Sequence, residues 1–407
     1  MDELQQRILD RIDLDADALI ALSKFIHAHP ETAMEELESS AACASFVEQR
    51  GFEVTRGVAG LPTAFSAVAG SAPGGHVGYL SEYDALPGLG HGCGHNLIAI
   101  AGIGAAIGLS EVVSDVGGIV SVFGTPAEEA IGGKIIMAQA GIFDGLDAAL
   151  GAHPGTIEAV CPTVEGSGMA LACREVVIKF HGQAAHAAAD PYNGVNALNA
   201  LIEVFNGANA LRQHVKADAR IHGIITDGGF APNVVPDYAA GSFLIRAATL
   251  TYMDELVGNF RAIADGAALI TGARLEWIFP SPANADMVTN YALAQALDKH
   301  ITAVGLEMPP AKAEVASGST DWGNVSYVVP SVETSYPIID RICTWHSSDV
   351  VRASDSEMGY QNTLLVAKAM ALAGLDVLRD EQLRTTNHSE FEQRLPVETR
   401  DMVRALV

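Results

Sequence analysis

A chain of 407 residues, 49% hydrophobic and 18% charged, is long enough for two domains and apolar enough to bury a sizeable core, which excludes wholesale disorder. Asp and Glu number 49 against 24 Lys and Arg, a net charge of −25. Such a surface repels phosphate backbones and anionic headgroups, so neither nucleic acid nor a membrane is an expected partner. The odd set of five cysteines (Cys43, Cys93, Cys161, Cys173, Cys343) has no C-x-x-C pair and speaks against a disulfide framework. No basic start followed by an apolar stretch opens the chain, and no apolar run nears the roughly 18–20 residues of a membrane span. Cytoplasm is the expected compartment.

In chain order, an amphipathic helix is expected from about Asp15 to His29, stopped by Pro30, and a second around Glu35–Arg50. His76–Leu80 reads as a strand, Leu97–Val113 as a small-residue helix, Gly118–Phe123 as a strand, Gly132–Ala140 as a helix and Ala148–Ala152 as a strand. This alternation predicts an α/β domain with a mostly parallel sheet flanked by helices. Near Cys173 the character changes. REVVIKFHG, a helix over about Val195–Val215, IHGIITDGG, YAAGSFLIRAA, a helix over Tyr252–Thr271 and ARLEWIF follow in βαββαβ order, a small α+β (ferredoxin-like) module. After Pro280 the first pattern resumes, with a helix over Asn290–Val304, a strand over Tyr327–Pro330 and a helix over Ser356–Ala373. The expected division is a discontinuous domain of residues 1–172 and 280–407 with residues 173–279 inserted.

Chemistry-bearing residues gather at strand ends. SEYDALPGLGHGCGHN follows the strand HVGYL, and open α/β sheets place ligands outside the carboxyl ends of their strands. There Cys93 and His95 stand two apart on a glycine-flanked loop, a thiolate and an imidazole suited to Zn²⁺, the imidazole also to Mn²⁺ or Co²⁺. The same pair also reads as a buried free thiol and a structural histidine. GTPAEEAIGGK, after GIVSVF, carries adjacent Glu128 and Glu129, which point in different directions; alone they read as a solvated turn, but between an apolar strand and a glycine-rich helix start idle charge is out of place. His153 ends a third strand in ALGAHPG, and His346 stands in CTWHSSD. Its preceding stretch, SGSTDWGNVSYVVP, reads as a binding loop.

Taken together, FIHAHPETAMEE, EYDALP, HGCGHN, GTPAEE-x-x-GGK, GAHPG, HGQAAHAA, GGFAPNVVPDYA, STDWGNVS and HSSD resemble, in this order and nearly over the whole chain, a family of dinuclear-metal amidohydrolases. The family includes aminoacylase-like and carboxypeptidase-G-like enzymes. The nearest subgroup is that of indole-acetyl-amino-acid, p-aminobenzoyl-glutamate and N-acyl-amino-acid hydrolases. The resemblance implies two divalent cations (Mn, Zn or Co) on Cys93, His95, Glu129, His153 and His346, with Glu128 as general base and Asp84 supporting a ligand. Most of the wider family has His where this chain has Glu82, and relatives often have Asp where it has Asn96. In the insertion, His186 matches an oxyanion-stabilising histidine, and Asn233 and Arg246 match substrate-holding positions, Arg246 for a carboxylate. Read alone, these three are a helix-start residue, a turn former and an exposed strand charge. The implied protein is a homodimer or higher homo-oligomer, its insertion a lid and dimerisation module. It hydrolyses an amide C–N bond of a small, carboxylate-bearing N-acyl or aroyl amino acid or dipeptide-like substrate. Two alternatives carry the same motifs: an aminohydrolase removing an amino group from an aromatic acid, and a catalytically silent binding protein.

Overall fold

In the computed structural model, residues 1–71, 73–313 and 318–405 are described. Ten strands run through these residues: β1 (Glu53–Arg56), β2 (Phe65–Ser71), β3 (His76–Glu82), β4 (Gly118–Thr125), β5 (Ala148–Gly155), β6 (Ala172–His181), β7 (Arg220–Asp227), β8 (Tyr238–Ala247), β9 (Arg274–Ile278) and β10 (Ser331–Pro337). They divide between two compact units, one of Met1–Met169, 287–313 and Asp321–Ala405, the other of Ala170–Asp286 with 318–320.

The first unit holds a six-stranded sheet in the order β1-β2-β4-β3-β5-β10. β3, β4, β5 and β10 are mutually parallel, while β2 runs antiparallel to both β1 and β4. The central strands carry near-continuous apolar runs because helices cover both faces of a parallel sheet. Buried residues of β3, β4 and β5 share one core with the helices Glu3–Ala28, His95–Ser110 and Glu357–Arg379. His95–Ser110 is buried on every side except Ser110, which explains its sequence of small and aliphatic residues without a polar face. At Gly102 a Cβ would stand 2.5 Å from the Leu80 carbonyl oxygen, so only glycine lets this helix lie so close to β3.

Several boundaries differ from expectation. The first helix begins at Glu3, closed by a capping box between Asp2 and Gln5. Tyr327–Pro330 is not a strand; the strand is the following SVETSYP, whose residues pair with β5 from Ser331 to Pro337. SGSTDWGNVSYVVP is not an open loop either. Trp322–Ser326 forms a short buried helix, with Trp322 filling the space over Gly151; Ser317 of that stretch lies outside the described residues. The antiparallel strands β1 and β2 and the helices Glu381–Arg394 and Val397–Ala405 have no counterpart in the elements expected from the sequence.

The second unit is a four-stranded antiparallel sheet in the order β7-β8-β6-β9, the ferredoxin-like arrangement of a βαββαβ chain. β6 and β8 alternate buried and part-exposed residues because helices cover one face only. Ala197–Leu211 and Leu250–Thr271 supply that cover, and Phe243 packs against Phe205 and Phe260, each with ring centroids 5.0 Å away. Among the described residues no helix is long and apolar enough to cross a membrane. All five cysteines are free.

Candidate metal centre at the strand ends

The carboxyl ends of β3, β4 and β5 and the turns that follow them deliver most of the polar side chains of the cluster. β3 ends at Glu82, and two residues further Asp84 is buried. The chain then turns through glycines to Gly94, whose φ of 85° places it in the left-handed region and starts the helix at His95. Cys93 and His95 therefore flank a turn that only glycine adopts readily. After β4, Ala127 also has a positive φ of 61°, and Glu128 and Glu129 follow it, both half-buried. His153 lies within β5 near its end. His346, beyond β10, is exposed and has a φ of 55°. A left-handed conformation in a non-glycine residue is costly, and such residues concentrate at functional sites.

These side chains converge. Cys93 Sγ lies 3.4 Å from His153 Nε2, and His346 Nε2 3.2 Å from Glu129 Oε1. His95 Nε2 faces Glu129 Oε1 at 3.9 Å and Glu82 Oε2 at 3.4 Å. Three trios (Cys93, His95, His153; Cys93, Glu129, His346; His95, Glu128, Glu129) each bring one ligand atom per residue within 4.8 Å of the others. Each trio shares a member with another, so six residues form one linked donor set.

The donor set fits divalent metal. Bonds of about 2.0–2.3 Å around a tetrahedral ion separate two ligand atoms by about 3.3–3.8 Å, close to the 3.2, 3.4 and 3.9 Å between donor pairs here. His95 Nε2 and Glu129 Oε1 are buried yet make no hydrogen bond, and a buried polar atom left so is costly unless something else satisfies it. The other nitrogen of His95, Nδ1, is 2.9 Å from Asp84 Oδ1, which orients the ring and leaves Nε2 to face the cluster. Asp84 Oδ2 also accepts the Glu129 N–H at 3.0 Å, so one carboxylate sets two of the candidate ligands. His153 Nδ1 similarly meets the Pro154 carbonyl at 2.7 Å, turning Nε2 toward Cys93.

Burial and charge pull in different directions across the cluster. Burial opposes a charged His95, but Asp84 and Cys93 outweigh it and hold its pKa well above the ordinary value. Burial lowers His153 and pushes the Cys93 thiol up to about 12. The Glu128 carboxyl is held well above the usual range by burial, then by the negative charges of Asp321 and Glu82.

Behind the donors lies an ion cluster that the strand-end motifs do not single out. Lys134, fully buried, donates to Asp321 Oδ1 at 2.5 Å and pairs with Glu82 Oε1 at 2.8 Å. Asp321 also accepts the Lys134 N–H at 2.9 Å. A signal for it is present in the sequence: Lys134 stands in the helix Gly133–Gln139 among Ile135, Met137 and Ala138, a poor place for an unpaired charge. Trp345, beside His346, is a further neighbour that sequence reasoning missed; its indole N–H donates to Cys93 Sγ at 3.3 Å.

The other three expected site residues belong to the second unit. His186 and Asn233 are exposed and adjacent: His186 bridges to Val234, and the Ala187 N–H donates to the Asn233 carbonyl at 3.0 Å. His186 Nδ1 accepts from the N–H groups of Ala188 and Ala189 at 3.2 and 3.1 Å, so a neutral ring carries its proton on Nε2. Arg246, on β8, donates to the Ser319 hydroxyl at 2.6 Å.

Comparison with known proteins finds a family model, similar proteins and similar structures. A family model described as "Peptidase dimerisation domain" (M20_dimer) matches residues 174–271. Xaa-Arg dipeptidase of Mus musculus is 37% identical over 97% of this chain and 94% of the relative. One of the two p-aminobenzoyl-glutamate hydrolase polypeptides of Escherichia coli K12 is 31% identical over 97% of this chain and 96% of its own length. Among solved structures, the YXEP protein of Bacillus subtilis, described as a dinuclear metal binding peptidase from M20 family, superposes with a TM-score of 0.62 at 21% identity, covering 87% of this chain and 98% of that one.

Proposed function

This chain belongs to the M20 family of peptidases and amidohydrolases, and from that premise we propose that its strand-end cluster is a two-metal centre that hydrolyses an amide C–N bond. The observation that carries this reading is the meeting of His95 Nε2 and Glu129 Oε1, buried and without hydrogen bonds, inside a set completed by Cys93, His153 and His346. These five residues would hold the ions, with Zn²⁺, Mn²⁺ or Co²⁺ compatible with the donors. Bound divalent ions supply Lewis acidity, which polarises a carbonyl and makes water easier to deprotonate.

The chain's own residues do the rest. Glu128, outside the five ligands, takes a proton from the attacking water and returns it to the departing nitrogen. Asp84 keeps His95 and Glu129 in place. His186 donates a hydrogen bond from its Nε2–H to the carbonyl oxygen as that atom gains negative charge, the proton staying on the ring. Asn233 binds the substrate by its amide, and Arg246 grips a substrate carboxylate with paired hydrogen bonds.

The substrate is a small, carboxylate-bearing N-acyl or aroyl amino acid or a dipeptide, the classes named in its relatives. Residues 173–279 act as a lid and homodimerisation module on the discontinuous catalytic domain of residues 1–172 and 280–407. The free cysteines suit a cytoplasmic setting.

The test is a screen of N-acyl amino acids, dipeptides and aminobenzoate derivatives with enzyme reconstituted in Mn²⁺, Zn²⁺ or Co²⁺, read by mass spectrometry. Metal-dependent release of an amino acid supports the reading; release of ammonia alone replaces it with amino-group removal, and no turnover of any kind defeats it. Metal analysis of Glu129→Ala and His153→Ala is expected to show depletion, and a full complement in either contradicts the ligand set.

A further inference from the structure

We propose that Glu36 is a positioning residue for the Glu128–Glu129 pair, acting through the backbone of Ala127. The inference rests on the two-metal reading above, and its physical basis is a buried carboxyl oxygen that accepts the Ala127 amide. Glu36 is fully buried, and its Oε1 accepts the Ala127 N–H at 2.9 Å. Ala127 is itself buried, and its φ of 61° lies in the left-handed region that residues with a Cβ rarely adopt. That conformation turns the chain after β4 so that Glu128 and Glu129 face the donor cluster. An unusual backbone geometry persists where its surroundings over-determine it, and the Glu36 bond is one such determinant.

The local structure shows that Glu36 is not there to cap a helix. It occupies the N-cap position of Leu37–Glu48, yet its side chain makes no capping bond. Glu31 caps instead, its two carboxylate oxygens accepting from the N–H groups of Glu38 and Ser39 at 2.9 and 2.8 Å. The division of labour frees Glu36 to reach Ala127. The same segment grips the neighbouring strand end, where the Ala85 N–H donates to the Glu31 carbonyl at 2.7 Å, directly after the ligand-orienting Asp84. FIHAHPETAMEE, a motif that holds none of the proposed ligands and not the proposed base, thus braces the loops that follow β3 and β4.

Amide hydrogen exchange at Ala127, metal content and steady-state kinetics test the proposal in Glu36→Gln and Glu36→Leu. Glutamine keeps an acceptor oxygen at the same reach; leucine removes it and leaves the Ala127 N–H buried without a partner. The wild-type Ala127 amide is expected to be protected. Leucine should speed its exchange at least about tenfold and lower kcat about 10²-fold, with KM changed less than about threefold because substrate-holding groups are untouched. Glutamine should restore protection and turnover to within about threefold of wild type. A freely exchanging Ala127 in the wild type overturns the proposal even if the leucine variant does not fold. So does a leucine variant with wild-type exchange and kcat, or a glutamine variant as damaged as the leucine one. Exchange and metal content need no substrate, so an enzyme without amidase activity would defeat the functional reading while this proposal is still judged.

Discussion

At the strand ends of the six-stranded sheet, Glu82, Asp84, His95, Lys134 and Asp321 are all buried, whereas in the four-stranded module His186 and Asn233 are exposed and Arg246 is half-buried. The first group comes with a large desolvation cost, met by mutual ion pairing, while His95 Nε2 and the neighbouring Glu129 Oε1 make no hydrogen bond. The second group is open to solvent at His186 and Asn233, and Arg246 is met by the Ser319 hydroxyl. Buried charge has to be compensated locally, so its partners can be read from the structure. Exposed polar residues carry no such obligation, and their role follows only from chemistry measured with substrate.

That contrast can be broken by substitution. The largest effect is expected at Glu128, where Ala should lower turnover by about 10²–10⁴-fold while metal analysis shows a full complement, because the proposed mechanism gives Glu128 the proton and not a place among the five ligands. Wild-type-like activity in Glu128→Ala removes it from the mechanism. Lys134→Met comes next: it strands Glu82 and Asp321 as buried carboxylates without their cation and should cost about 3–5 kcal/mol in denaturant unfolding. A variant as stable as wild type would mean that the cluster is not the compensated charge described here.

His186→Ala sharpens the comparison from the other side. It should lower kcat by about 10²–10³-fold with no change in the unfolding midpoint, since an exposed ring packs against little. A loss of stability in step with activity would place His186 with the structural residues instead.

The smallest effect belongs to a link remote from the donor set. His388 Nε2 is 2.9 Å from Asp147 Oδ1, and that hydrogen bond raises the His388 pKa. Asp147 is opposed by burial but drawn below its usual range by the same bond and by the His76 N–H. The His388 contribution is fully present below its unfolded value near 6.5 and fades as pH rises through the higher folded value; the Asp147 contribution is present above about 3.8 and fades as pH falls. His388→Ala should therefore lose about 0.2–1 kcal/mol at pH 5.5 and less at pH 9, the side chains being partly solvated. An equal loss at both values would show that packing, not the charge, is what the histidine supplies.

Much of the site was legible in the residues. Cys93, His95, Glu129 and His153 follow or end apolar strands, and parallel strands present their carboxyl ends to a common edge, so proximity was implied by pattern and chain order. Lys134, Asp321 and Glu36 were not legible in the same way. Asp321 and Glu36 look locally like ordinary surface charges, Lys134 stands out only by its apolar neighbours, and the fold alone shows what encloses each. The misplaced strand at Tyr327–Pro330 has a related cause: an apolar run can be a strand or the exit of a buried turn, and pairing with β5 decided in favour of Ser331–Pro337.

Sequence by itself determined the α/β class, the βαββαβ insertion and the family, because hydrophobic period and the order of short motifs are properties of the chain read in one dimension. Tertiary structure alone decided which charges are buried together, which histidine nitrogen faces the cluster, and that Glu36 reaches Ala127 across 91 positions. Those are questions of distance and of exclusion from water, and neither exists until the chain has closed on itself.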